Sequence, residues 1–130
     1  MATPRILLVE DNPADVLLWE CAFAEACHPA VALTIVTDGD AAWGLLNASC
    51  AAGAAFDLVI SDQCLPRSSG AQLAARMLAE PAFHNLPIVV VSGAAPRADG
   101  PVRSGWIEKP SGLGEMKILL RNLLDRFIAA

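Results

Sequence analysis

A chain of 130 residues, 55% apolar by type, is one domain's length with enough apolar side chains to close a core without disulfides or metal staples. That apolar fraction excludes a disordered chain, and a net charge of −5 excludes the basic field that a nucleic-acid surface needs. No apolar run approaches the ~18 residues of a membrane helix, and the stretch between Arg5 and Glu10 is too short for a secretory leader, so a cytoplasmic protein is expected.

Arg5–Val9 (RILLV) is a continuous apolar run stopped by acids, the pattern of a strand buried on both faces. From Pro13 to about Cys27, the spacing of Val16, Leu17, Trp19, Phe23 and Ala24 predicts a helix that His28-Pro29 ends. Val31–Val36 predicts a second strand, closed by the Asp38-Gly39 turn. A helix rich in Ala and Leu follows from Asp40 to about Ala52, despite Gly44. Phe56–Ser61 predicts a third strand running into Asp62, then a loop holding Pro66 and Gly70, then a short helix over Ala71–Ala79. Pro87–Val91 predicts a fourth strand ending at Ser92-Gly93, and Gly105–Glu108 a weaker fifth ending at Lys109-Pro110. Met116, Leu119, Leu120, Leu123, Leu124 and Phe127 form the stripe of a last helix, with Lys117, Arg121, Asp125 and Arg126 opposite.

Strands apolar on both faces and separated by helices predict an α/β fold, a parallel sheet covered on both sides. The alternation breaks once. Between Ser92 and Trp106 lie two prolines and three glycines, so a loop or a single turn is expected where the rhythm asks for a helix. With no linker or repeat, one domain over 1–130, with its core at about 5–127, accounts for the chain. Cys21, Cys27, Cys50 and Cys64 show no C-x-x-C spacing and His28 and His84 stand apart from any cysteine pair, so small buried thiols are expected rather than zinc. Trp19 and Trp43 are expected to be packing residues, and both histidines to be solvated.

In a doubly wound sheet, ligands bind outside the carboxyl ends of the strands. The unusual polar residues fall at those ends: Glu10 and Asp11 after the first strand, Asp62 after the third, Ser92 after the fourth, Lys109 after the fifth. Carboxylates gathered in one crevice repel unless a cation or a proton relieves them, and oxygen-only ligands suit Mg²⁺. Lys109 supplies a point charge for Asp62 or for a phosphoryl oxygen, and Ser92 a hydroxyl donor. A carboxylate between a metal and a lysine can attack a phosphoryl group and form an aspartyl phosphate. Taken singly, Glu10-Asp11-Asn12-Pro13 also fits a helix cap, Asp62 a turn and Lys109 a surface position. The conjunction at strand ends is what points to chemistry.

The segments ILLVEDNPADV, DLVISDQCLPRSSG, PIVVVSG and WIEKP resemble the receiver domain of two-component response regulators, the CheY-like superfamily, over about Arg5 to Phe127. The resemblance implies a flavodoxin-like fold with five parallel strands in the order 2-1-3-4-5, here with the fourth helix shortened or absent. It implies Asp62 as phosphoacceptor, supplied by a histidine kinase or a histidine phosphotransfer protein. It implies Mg²⁺ (or Mn²⁺) on Asp11, Asp62 and the Cys64 backbone carbonyl, with Glu10 acting through a bound water. Ser92 and Lys109 match the residues that contact the phosphoryl group, Trp106 the switch aromatic, and Pro110 a cis-proline. For Trp106, covering the sheet edge is the alternative.

The implied output is contact with an unknown downstream protein, with room for a homodimer and no direct contact with nucleic acid or membrane. No enzyme activity is expected beyond Mg²⁺-dependent self-phosphotransfer and autodephosphorylation. A haloacid-dehalogenase-type enzyme would want a second acid where Cys64 stands. The family's output face uses the fourth helix, so its remodelling motivates a second reading, a receiver-fold scaffold that works without phosphorylation. Gln63 and Cys64 also make the loop after Asp62 more polar than the family's. A stand-alone receiver without an output domain is expected, the alternative being a domain cut from a hybrid kinase or a longer regulator.

Overall fold

Strand β1 (Arg5–Val9) opens the chain and is followed by α1 (Pro13–Ala26), β2 (Ala32–Val36), α2 (Gly39–Ala51), β3 (Leu58–Asp62) and α3 (Gly70–Ala79). A single 3₁₀ turn, Pro81–Phe83, then precedes β4 (Ile88–Ser92), β5 (Gly105–Glu108) and α4 (Leu113–Phe127). The computed structural model describes residues 3–26, 30–93 and 105–128. All strand pairs are parallel, and the sheet order is β2-β1-β3-β4-β5. This is the flavodoxin-like order expected.

The strands are apolar on both faces because both faces are covered. Ile6, Leu8, Leu58, Ile60, Val89 and Val91 point into one layer with Trp19 and Phe23 of α1 and Met116, Leu120 and Leu123 of α4. Their alternates Leu7, Val9, Val59, Ile88 and Val90 point the other way, against Ala42 and Leu46 of α2 and Leu73, Ala74 and Met77 of α3. Trp19 is buried and meets Phe23 one turn on, ring centroids 6.3 Å apart, while Trp43 meets Phe83 edge-on at 5.5 Å. Both are packing residues, as expected.

Helix starts follow the local chemistry. The Asp38 carboxylate accepts from the Ala41 N–H at 2.6 Å to cap α2. At α3, Ser69 and Gln72 cap reciprocally. Gly70 begins that helix because nothing larger fits: a Cβ there would stand 2.6 Å from the Asp62 carbonyl oxygen. A Cβ on Gly39 would likewise collide with the Ser68 carbonyl oxygen, so the β3–α3 loop lies directly on the start of α2.

Most element boundaries shift by a residue or two from those expected, and the shifts around β3 and β4 bear on the site. β3 starts at Leu58 rather than Phe56 because Asp57 clamps onto Arg5 first. The Asp57 N–H donates to the Arg5 carbonyl at 2.7 Å, and its carboxylate accepts the Arg5 N–H at 2.8 Å. β3 and β4 also run on to include Asp62 and Ser92. The thiols are less buried than expected: Cys64 is exposed, and Cys21 and Cys50 are intermediate. Cys64 lies in the loop at the carboxyl edge of the sheet, where there is no layer to cover it. The position of the fourth helix expected to be shortened or absent, 94–104, and that of Cys27 and His28 lie outside the described residues.

Candidate functional site

The parallel sheet delivers the polar residues to one edge. Glu10 directly follows β1, and its N–H donates to the Val36 carbonyl at 3.0 Å, which extends the β1–β2 pairing by one residue. Asp62 ends β3, where the next N–H, that of Gln63, donates to the Val91 carbonyl at 2.9 Å. Carboxylate oxygens of Glu10, Asp11 and Asp62 all lie within 4.8 Å of one another. Glu10 is buried, Asp62 is half-buried and Asp11 is exposed, so the cluster opens to solvent through Asp11.

Lys109 closes the cluster. Its N–H donates to the Ser92 carbonyl at 2.7 Å, which carries the β4–β5 register (Ser92 beside Glu108) one step past the sheet. Its ammonium then reaches Glu10 at 3.5 Å and Asp62 at 3.6 Å. A third acid was not anticipated from the sequence: Asp15, in the first turn of α1, accepts from Lys109 Nζ at 2.6 Å. An acid there already has an ordinary explanation, favourable contact with the helix dipole, and its partner is 94 residues away. The available signal was its spacing, one helical turn after Asp11.

The electrostatics follow from this packing. Burial pushes the Glu10 carboxyl above its usual range, with the Asp62 charge adding to it and the Asn12 N–H and Lys109 opposing. Burial also raises Asp62, against the pull of the Lys109 ammonium and the Gln63 N–H. At Lys109 burial favours the neutral amine, yet the bond to Asp15 and the charges of Glu10 and Asp62 outweigh it and raise the group well above its ordinary range. The lysine is therefore a fixed positive charge. The two carboxyls beside it still carry an excess of negative field.

The remaining residues are distributed around this centre. Ser92 is buried at the end of β4, beside the peptide that carries Lys109. Cys64 is in the exposed part of the β3–α3 loop. That loop is shaped by Gln63, whose side-chain oxygen accepts the Ala71 N–H at 2.8 Å and whose carbonyl accepts the Gly70 N–H at 3.1 Å. Trp106 pairs with Val90 in register, is partly buried and packs against the α2–α3 layer of the core. Pro110 and Lys109 line an open groove of about 400 Å³ between β5 and α4. A larger depression of about 540 Å³ opens at the opposite, amino end of the strands, by Phe56, Asp57 and Pro87, remote from these acids.

An all-oxygen donor set of this kind, with surplus negative charge and one solvent-facing member, fits a hard divalent cation. Among the described residues no helix is long and apolar enough to cross a membrane.

Comparison with known proteins agrees with the fold. The family model described as "Response regulator receiver domain" matches residues 6–117. A search of curated proteins finds no match. Among solved structures, the phosphorylated cyanobacterial phytochrome response regulator RcpA superposes with a TM-score of 0.85 at 26% identity, covering 98% of this chain and 96% of that one. The Mn²⁺-bound form of response regulator Rcp1 gives 0.77 at 23% identity, covering 94% and 92%. The receiver domain of the sensor histidine kinase PA1611 from Pseudomonas aeruginosa PAO1, with a magnesium ion in its active site cleft, gives 0.78 at 23% identity, covering 99% and 100%. By the matched length of the family model and the shared fold, this chain belongs to the response regulator receiver domain family.

Proposed function

We propose that this protein is a phosphorylatable receiver that takes a phosphoryl group on Asp62 and signals through contact with another protein. The observation that carries this reading is the position of Lys109, whose ammonium stands 3.6 Å from Asp62 inside a cluster of carboxylates. Asp62 Oδ attacks phosphorus, and the bond from phosphorus to the donor's nitrogen or oxygen breaks with the electron pair leaving on the donor. The upstream donor is a phosphohistidine on a kinase or phosphotransfer protein.

The chain's own residues prepare this step. Burial and the neighbouring acids destabilise the Asp62 carboxylate as an anion, and conversion to an acyl phosphate moves the charge outward, toward Lys109. Ser92, at the end of the adjacent strand, is the hydroxyl donor to the phosphoryl oxygens. Glu10, Asp11, Asp62 and the Cys64 carbonyl would hold Mg²⁺ or Mn²⁺, with Glu10 acting through a water. When bound, the cation supplies charge neutralisation of the phosphoryl oxygens and of the carboxylates. The placement of Trp106 on the core layer of an edge strand favours its sheet-covering role, and any switching role would have to act through that packing.

Incubation of the protein with Mg²⁺ and acetyl phosphate is expected to give a single phosphoryl adduct by intact mass, and Asp62→Asn to abolish it. Absence of an adduct on the wild type, with beryllofluoride also failing to bind, would overturn the reading.

A further inference from the structure

The shortest contact to the Lys109 ammonium is made by a residue the reading above does not use. Asp15 Oδ2 accepts from Lys109 Nζ at 2.6 Å, whereas Glu10 and Asp62 stand at 3.5 Å and 3.6 Å. The first contact has the length of a charge-assisted hydrogen bond; the other two are looser ion pairs. Asp15 is held in place by the helix start itself. The Asn12 side-chain oxygen caps α1 by accepting the Ala14 N–H at 2.9 Å and the Asp15 N–H at 3.4 Å. The side chains of Lys109 and Asp15 are 23% and 22% exposed, so the pair is screened less than a surface pair. An ammonium is a compact point charge on a flexible stem, and what it leans on in the resting protein is the helix, not the phosphoacceptor.

We propose that Asp15 is a positioning residue for the chemistry at Asp62: it parks the Lys109 ammonium on the first turn of α1, and the lysine gives up that partner as a phosphoryl group forms on Asp62. The inference rests on Asp62 being the phosphoacceptor. A phosphoryl group places more negative charge on the Asp62 side of the lysine than a carboxylate does. Reaching it costs the lysine its shortest bond. The Asp15 pair therefore stabilises the unphosphorylated form relative to the phosphorylated one, and sets how readily the site holds a phosphoryl group without touching that group.

The test is a double-mutant cycle on the full chain, read as beryllofluoride affinity at saturating Mg²⁺ by calorimetry. Asp15→Asn keeps the shape of the side chain and is expected to bind beryllofluoride about fivefold more tightly than the wild type, the size of a partly exposed ion pair that no longer has to be surrendered. In a Lys109→Met background the same substitution is expected to change nothing. Wild-type binding with an Asp15→Asn affinity equal to or weaker than wild type overturns the positioning role, as does an equal gain in both backgrounds. A wild type that takes up no beryllofluoride overturns the phosphoacceptor reading instead, and the positioning role with it. Should Lys109→Met bind too weakly to measure, the Lys109 ¹⁵Nζ resonance decides. Asp15→Asn must move it, in the ligand-free protein, toward its beryllofluoride-bound position, and an unmoved resonance overturns the proposal.

Discussion

Glu10 and Asp62 carry opposite obligations. The fold buries them, which makes their charged forms costly, yet a cation site needs those charges. The cost is measurable in the metal-free protein. Asp62 holds its proton more tightly folded than unfolded, so its contribution to stability is complete below the ordinary value of 3.8 and is lost as pH rises through the raised folded value. Asp62→Asn is therefore expected to come close to the wild type in urea unfolding at about pH 3.5 and to exceed it in stability at about pH 8. A variant less stable than wild type at the higher pH would contradict this. Four of the centre's residues, Glu10, Asp11, Asp62 and Lys109, were legible in the sequence because each ends a strand run. Asp15 was not, because its side chain reaches the site from inside a helix, where neither hydropathy nor turn chemistry marks it.

At the level of elements, the β3–α3 loop does the most to shape the site. Gly70 lets the start of α3 approach the Asp62 carbonyl, and Gln63 ties that start to the strand end through both its side chain and its carbonyl. Arg67 holds a left-handed conformation, φ 70°, within the same loop, a strain of about 1 kcal/mol that packing around Ser68 and Gly39 must offset. Gly70→Ala is expected to cost about 2–3 kcal/mol in urea unfolding, because backbone cannot yield as a flexible side chain does. It should also weaken beryllofluoride binding, whereas Gly44→Ala, with open space around it, should be neutral or stabilising by about 1 kcal/mol. The strands were legible as short continuous apolar runs, and the long helices because their periodicity spans whole turns. The 3₁₀ turn at Pro81–Phe83 is too short to show any period, and the contact of Gly39 with Ser68 joins residues whose separation in sequence conceals it.

For the whole molecule, the parallel order could be read from the both-faces-apolar strands, since only a sheet covered on each side buries such runs. Which strand lies next to which was legible only through family resemblance; hydropathy is silent on neighbours. The net charge of −5 is unevenly spent, with Glu10, Asp11, Asp15 and Asp62 drawn around one lysine. Saturating Mg²⁺ should accordingly raise the thermal midpoint, by the equivalent of about 2.7 kcal/mol at a hundredfold excess over its dissociation constant, and Asp11→Asn should remove most of that gain. The bond from the Lys109 N–H to the Ser92 carbonyl has a further consequence. It makes the hydroxyl-bearing end of one strand and the ammonium-bearing end of the next a single lever, with the peptide plane as its rigid arm. Under the proposed function, a pull on either residue by an anion at Asp62 would be passed to the other without travelling along the intervening chain, and the edge strand β5 would feel the occupancy of the site through one peptide group.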